Sequence, residues 1–350
     1  MIKHQDDRIL YLASRDVQEV CKEIDSVAVI REVFKLHGSG QTILPDEAYL
    51  GWTNAKGESV RSLNMPAYVG GPFGMAGTKI INGNIANPAR GLPRASGLTL
   101  LFDPVTVRVV CMMEGAYISS LRTASVTALS ADLLKGREIQ TLAIIGAGVL
   151  ARAHIELLVM RLPGLRHIRL FDLEEQRIET LQQQVAFILK SRGVEMQATK
   201  TAEEAIRPAQ LIVPVTTTTQ GYISYDWLQP GSLLVNISLD DPLPEVVLRA
   251  DKVIVDDWNL VKNDPRRLVG RMYRQGKVIG PDDSIEATAS GRRRIDAQLG
   301  EIVTGAKAGR TNENEIILVN PFGLAIEDVA LAIEVYRKAR KMGMGVELER

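Results

Sequence analysis

The chain has 350 residues, enough for two domains and a sizeable core. Its 42 Lys+Arg balance 42 Asp+Glu, so nothing points to a nucleic-acid partner or a membrane surface, and no apolar run is long enough to span a bilayer. Cys21 and Cys111 lie far apart without metal-type spacing, which reads as buried thiols in a reducing cytoplasm. His4, His37, His154 and His167 are scattered and give neither a zinc pattern nor a Ser/His/Asp order, and residues 1–7 show no apolar segment of the secretory kind.

In chain order, residues 9–12 read as a strand, residues 14–17 as a helix start, and residues 27–36 have helical spacing. Residues 38–57 carry scattered Gly, Pro and Asn without a period and read mostly as loop. Residues 61–69 and 75–84 read as strands ending in glycine turns. Each sets a cation among apolar neighbours, Arg61 at the start of one and Lys79 inside the other. Lys79 fits either a ligand-facing role or the polar face of an edge strand. A loop over residues 90–97 holds Arg90 and Arg94. Strands follow over 98–102 and 105–113, then a helix over 118–129 with small residues on one side and Arg122-Thr123 near its start.

The chain is organised around the next stretch. Apolar residues 142–145 run straight into Gly146-x-Gly148-x-x-Ala151, a helical pattern follows, and a second apolar run over 168–171 ends at Asp172. Gly146 permits the tight turn, Gly148 lets a pyrophosphate approach the backbone, and Ala151 lets the helix pack on the sheet. Val149 and Leu150 open that helix, whose free N–H groups face the phosphates. Asp172 is placed to accept both ribose hydroxyls. Leu173-Glu174-Glu175 follow it with no arginine, which favours NAD over NADP.

Strands and helices then alternate to residue 255, which indicates a parallel, doubly wound sheet with ligands at the carboxyl ends of its strands. That rule puts Gly146, Asp172, Thr216 and Ser238 to Asp241 along one edge. Asp240 and Asp241 equally suit caps for a helix starting near Pro242. Residues 263–300 are polar and basic and read as a solvated face. Residues 316–319 form a last strand, Asn320-Pro321 opens a helix as N-cap and first residue, and this tail should fold back on the N-terminal half.

These pieces resemble the ornithine cyclodeaminase/μ-crystallin family. Met65-Pro66, Lys79 with Asn82-Gly83, Leu121-Arg122-Thr123, the Gly146 motif, Asn236 through Asp241 and Gly323-x-Ala325-x-x-Asp328 occur in the family's order across nearly the full length. The resemblance implies a homodimer of α/β subunits. A Rossmann-type doubly wound parallel sheet for NAD, residues 131–311, would be inserted in a discontinuous α+β substrate and dimerisation domain, residues 1–130 and 312–350. It further implies that Lys79 polarises or holds the substrate carboxylate region with Met65 nearby, that Arg122 binds it, and that Asp241 serves the reacting amine. Arg122, Thr123, Gly146, Gly148, Val149, Leu150, Asp172, Thr216 and Ser238 would line the cofactor. The chemistry is coherent: hydride leaves an amino-bearing carbon as the nitrogen lone pair pushes in, so a base must keep that amine neutral.

Two departures from the cyclodeaminase pattern bear on the substrate. The acid two places before the Met-Pro pair, which in the family reads the distal amine of ornithine, is Leu63. The usual threonine after the lysine strand is Arg94. One acid lost and one cation gained favour a carboxylate over an amine and argue against ornithine and lysine. Arg61-x-x-x-Met65-Pro66, Arg94-Ala95-Ser96-Gly97, Tyr225-Asp226-Trp227-Leu228, Val255-Asp256-Asp257-Trp258, Val303-Thr304-Gly305 and Glu315-Ile316-Ile317-Leu318 are similar to the branch of the family that makes 2,3-diaminopropionate for siderophore or antibiotic assembly. That branch implies NAD-dependent oxidation of N-(2-amino-2-carboxyethyl)-L-glutamate and hydrolysis of the imine to 2-oxoglutarate and L-2,3-diaminopropionate. Arg61, Lys79, Arg94 and Arg122 would meet this small acidic substrate. Opine-type or cyclodeaminase activity, and a non-catalytic binding role like that of μ-crystallin, stay open at this point, with Lys79 and Asp241 favouring an enzyme.

Overall fold

The computed structural model describes residues 8–283 and 291–350; residues 1–7 and part of the 263–300 segment lie outside the described residues. The chain divides into two compact units. One runs up to Arg122 and includes Leu324–Arg350; the other is Thr123–Gly323.

The first unit is built on a sheet of eight strands among the described residues. Their order is Val346–Glu349, Arg8–Leu12, Val109–Glu114, Ala95–Phe102, Met75–Asn84, Ser59–Val69, Thr42–Ile43, with Ala48–Thr53 also on Ser59–Val69. Its centre is an antiparallel meander from Ser59 to Glu114. Along Ser59–Val69 the period-2 rule buries Leu63, Met65, Ala67 and Val69 on one face. The long helix Ala325–Met342 packs on this sheet and on the helices Ser14–Cys21 and Ser26–Gly38. Gly77 permits that close approach, since a Cβ there would lie 2.6 Å from Leu100 O and 3.3 Å from Val329 Cγ1.

One local expectation fails in this unit and another is incomplete. Residues 38–57 are mostly loop, as the sequence reads, but they also hold two strands, Thr42–Ile43 and Ala48–Thr53. All six residues of Ala48–Thr53 are exposed, so no in/out alternation marks the strand in the sequence. Conversely, residues 103–108 are a turn and the strand begins only at Val109. The Asp103 carboxylate accepts from the N–H groups of Val105 and Thr106 and from the Thr106 hydroxyl, and this local bonding overrides the β-branched residues.

The second unit carries the parallel sheet that the alternation implies. Its strand order is Glu195–Ala198, His167–Phe171, Thr141–Ile145, Leu211–Pro214, Leu233–Val235, Ile317–Val319, Lys252–Val255, Ala297–Gln298. The central strands are apolar runs buried along their length, as sheets covered on both faces require. The order reverses beside Thr141–Ile145, so the crevice between its carboxyl end and that of Leu211–Pro214 is the topological switch point.

The tail is corrected here. Ile317–Val319 does not leave with the C-terminal segment; it is inserted between Leu233–Val235 and Lys252–Val255. A short, wholly buried apolar run is what a central parallel strand needs. Asn320 does not cap a helix. Its side chain accepts from Asn236 Nδ2 at 2.8 Å, and the helix starts at Ala325 behind Leu324.

Candidate active site

In the first unit Lys79 lies on an interior strand, opposite Met65 on one side and Thr99 on the other, not on an edge. It is 2% exposed. Its Nζ donates to Asp328 Oδ2 at 2.8 Å and lies 3.4 Å from Ser119 Oγ. Arg122 donates to Glu327 Oε2 at 2.7 Å, and its Nε is 3.3 Å from Asp328 Oδ2. Glu327 and Asp328 occupy the first turn of the Ala325–Met342 helix, where the helix dipole also favours negative charge. The four charges cancel. Removing one member would leave a buried charge uncompensated, which costs more than the pair contributes. Burial holds the Lys79 ammonium below its ordinary pKa; Asp328 opposes that shift and Arg122 adds to it.

Arg61, Leu63 and Met65 share one face of their strand by the period-2 rule. Arg61 extends over Gly83, where a Cβ would sit 3.5 Å from its Nε and 3.6 Å from Arg94 O. Arg94 precedes the strand Ala95–Phe102. Its pKa is lowered by burial and by the charge of Arg61. Neither guanidinium has an ion-pair partner among the described residues. Two half-buried cations without a counter-ion could hold an anion. Arg90, by contrast, is committed to Glu58.

In the second unit Gly146 adopts φ +103° where a side chain's Cβ would be 3.0 Å from Val215 O, and its N–H donates to Phe171 O at 2.8 Å. A Cβ on Gly148 would meet nothing within 4 Å, so open space lies over the turn. The helix Val149–Arg161 starts at Gly148 without a side-chain cap. Asp172 Oδ2 accepts from Ala147 N–H at 2.7 Å and Oδ1 from Glu174 N–H at 2.9 Å, which ties the glycine turn to the end of the next strand. Each oxygen keeps a lone pair for a ribose hydroxyl. These features fit a dinucleotide whose pyrophosphate meets the helix N-terminus.

The carboxyl ends of the central strands bring the remaining candidates together. Thr216 N–H donates to Ser238 Oγ at 2.7 Å, and Thr216 Oγ1 to Asp241 Oδ1 at 2.7 Å. Tyr222 Oη donates to the same Oδ1 at 2.8 Å. Asp241 is fully buried and its Oδ2 has no hydrogen-bond partner. Burial pushes its pKa up, against the pull of Thr216, Tyr222 and Ser238. Asp240 is engaged otherwise, with Arg271 at 2.7 Å. Neither acid caps the next helix, which begins at Pro244 behind Leu243.

Several residues of this constellation are not read from the sequence. Glu327 and Asp328 pair with cations more than 200 positions away, at separations of 205 and 249. Asp328 enters the sequence reading only as the last residue of Gly323-x-Ala325-x-x-Asp328, without a role, and Glu327 carries no signal but an acid inside an otherwise apolar run, 324–333. Tyr222 and Arg271 carry no motif at all. Nor is the basic 263–300 segment simply a solvated face. Arg267 is largely buried, donates to Pro321 O and Phe322 O, and stacks over the Phe322 ring 4.6 Å from its centroid.

A parallel sheet with an Asp-anchored glycine turn at its switch point, in one chain with a buried lysine on an antiparallel sheet, defines a nucleotide-dependent α/β oxidoreductase. The chain belongs to the ornithine cyclodeaminase/mu-crystallin family, whose model matches residues 10–343. It is 31% identical over 348 residues to the N-((2S)-2-amino-2-carboxyethyl)-L-glutamate dehydrogenase of Staphylococcus aureus, covering 97% of this chain and 98% of that one. Among solved structures it is similar to CmnK, with a TM-score of 0.88 and 36% identity over 98% of both chains. An archaeal alanine dehydrogenase dimer with bound NAD aligns with a TM-score of 0.79 and 25% identity, covering 97% of this chain and 99% of that one.

Proposed function

We propose that the chain is an NAD-dependent amino-acid dehydrogenase that oxidises the secondary amine of N-(2-amino-2-carboxyethyl)-L-glutamate. The observation that carries the substrate is a pair of neighbouring cations without a counter-ion among the described residues: Arg61, on a strand whose Leu63 offers nothing to a distal amine, and Arg94. A substrate with three carboxylates supplies the missing negative charge. Lys79 and Arg122, already neutralised by Asp328 and Glu327, orient a carboxylate next to the reacting carbon and add no net charge of their own.

NAD is the cofactor; when bound it accepts the hydride from the glutamate Cα. The chain's own residues do the rest. Gly148 and the uncapped helix start leave room and N–H donors for the pyrophosphate, and Asp172 takes the ribose hydroxyls. Asp241 receives the amine proton, so that the nitrogen lone pair is free as the C–H bond breaks. Water then adds to the C=N carbon and the C–N bond cleaves. Substrate, NAD⁺ and water become 2-oxoglutarate, L-2,3-diaminopropionate, NADH and a proton. The protein works as a homodimer, a reading supported by the exposed Tyr49, Leu50 and Trp52 on Ala48–Thr53 and by the dimeric alanine dehydrogenase neighbour.

The test is NADH absorbance on mixing protein, NAD and N-(2-amino-2-carboxyethyl)-L-glutamate, with L-alanine and ornithine in parallel and proline assayed in the last. NADH from the first substrate alone is expected. NADH from alanine, or proline from ornithine with silence from the acidic substrate, would overturn the assignment.

A further inference from the structure

Asp241 is held asymmetrically. Its Oδ1 accepts two short hydrogen bonds from hydroxyls, Thr216 Oγ1 at 2.7 Å and Tyr222 Oη at 2.8 Å, while Oδ2, a buried atom, has none. The two donors are fixed independently of the bonds they make to the acid. Thr216 is set by its N–H on Ser238 Oγ. Tyr222 is set by the backbone, because the N–H groups of Tyr222 and Ile223 both donate to Asp241 O at 2.9 Å, and Ile223 bridges Pro242 in parallel. Gly221 lets the two segments meet that closely, since a Cβ there would be 2.9 Å from Pro242 O. A hydroxyl is thus held against one chosen oxygen of a buried carboxyl, although the fold of the segment does not depend on that hydroxyl.

We propose that Tyr222 is a positioning residue for Asp241: with Thr216 it occupies Oδ1, so that Oδ2 is the one oxygen that exchanges a proton with the substrate amine. This rests on the reading of Asp241 as the amine's proton acceptor. Both hydroxyls, together with Ser238, stabilise the ionised carboxylate and so hold down a pKa that burial raises. The surrounding charges are committed elsewhere. Asp240 pairs with Arg271, Glu245 accepts from the Ser224 hydroxyl and Tyr225 N–H, and Arg249 pairs with Asp226 and Glu245. The Tyr222 phenol itself is pushed upward by burial and by Asp241, so it stays protonated and remains a donor.

The decisive variant is Tyr222→Phe, which keeps the ring and the backbone bonds and removes one donor. Two measurements are made on the full chain. One is the titration of the Asp241 carboxyl by difference infrared spectroscopy, with Asp241→Asn subtracted. The other is kcat/KM for amine oxidation against pH. Losing a donor to the ionised form raises the carboxyl's pKa by about one unit. The acidic limb of the pH profile should move up by the same amount, because the base must be ionised to work. Thr216→Val should move both in the same direction. An unmoved carboxyl titration in Tyr222→Phe, with kcat changed equally at all pH values, would reduce Tyr222 to a packing role and overturn the proposal. Full turnover by Asp241→Asn would instead remove Asp241 from the reaction while the titration still judged the positioning.

Discussion

At the residue scale, two kinds of cation sit in the first unit, and they predict opposite behaviour on removal. Lys79 is paired and buried, so Lys79→Met leaves two buried carboxylates, Glu327 and Asp328, facing Arg122 alone. Unfolding free energy in urea should fall by about 3–5 kcal/mol, and turnover by about 10²–10³-fold if the ammonium orients the reacting group. NADH binding, followed by fluorescence, should persist. Adding Asp328→Asn should return part of the stability and none of the turnover; unaltered turnover in Lys79→Met would remove its assigned role. Arg94 has no ion-pair partner to strand among the described residues and is opposed by Arg61. Arg94→Thr should therefore leave stability unchanged or slightly raised while KM for the tricarboxylate substrate rises about 10- to 100-fold, the value of one charge-assisted contact. An unchanged KM would show that the arginine pair faces no substrate carboxylate. Lys79 stands out in the sequence as a cation among apolar neighbours, and Leu63 and Arg94 stand out as departures from the pattern of the family that the chain resembles. Glu327 and Tyr222 do not, and Asp328 appears there only as a motif position without a role, because their meaning lies in partners that only the folded chain supplies.

At the element scale, the helix Val149–Arg161 is pinned by His154. The Leu150 carbonyl can only accept, so Nδ1 carries the hydrogen toward it at 2.7 Å. Nε2 then accepts from the Thr127 hydroxyl, 2.9 Å away on the helix Ala116–Leu134. Burial lowers the His154 pKa from 6.5 to about 4. Between those values the unfolded chain binds a proton that the folded chain refuses, so the ring's contribution is present above pH 6.5 and lost as pH falls toward 4. The loss should approach roughly 3 kcal/mol. Urea titrations from pH 7 to 4 should show a flatter acid limb for His154→Asn than for the parent, and parallel limbs would place the acid sensitivity elsewhere. The elements themselves were legible where one period dominates. The glycine turn, its flanking strands and the alternation to residue 255 follow from pattern alone. Ala48–Thr53 is not legible because exposure on both faces erases alternation, and Ile317–Val319 is legible as a strand, but its apolar run does not say which strands it joins.

At the scale of the whole molecule, the edge of the first unit's sheet is the feature least explained by one copy of the chain. Ala48–Thr53 presents Tyr49, Leu50 and Trp52 at 51%, 62% and 48% exposure, with Ile43 at 65% beside it on a strand that also pairs with Ser59–Val69. Aromatic and aliphatic side chains crowded on an uncovered strand are the composition of an interface centre, and such an edge left open invites pairing with another chain. In a two-fold dimer each of these side chains is buried twice, once per copy, at about 1.5–3 kcal/mol for each full burial. Trp52→Asp puts two charges into that patch, so sedimentation velocity at micromolar concentration should convert a dimer into monomers. Because Trp52 lies outside the cation cluster and the nucleotide turn, the variant's NADH binding should survive the conversion. A variant that remains dimeric with undiminished affinity would place the subunit interface on another face and leave this strand's exposed aromatics to a different partner.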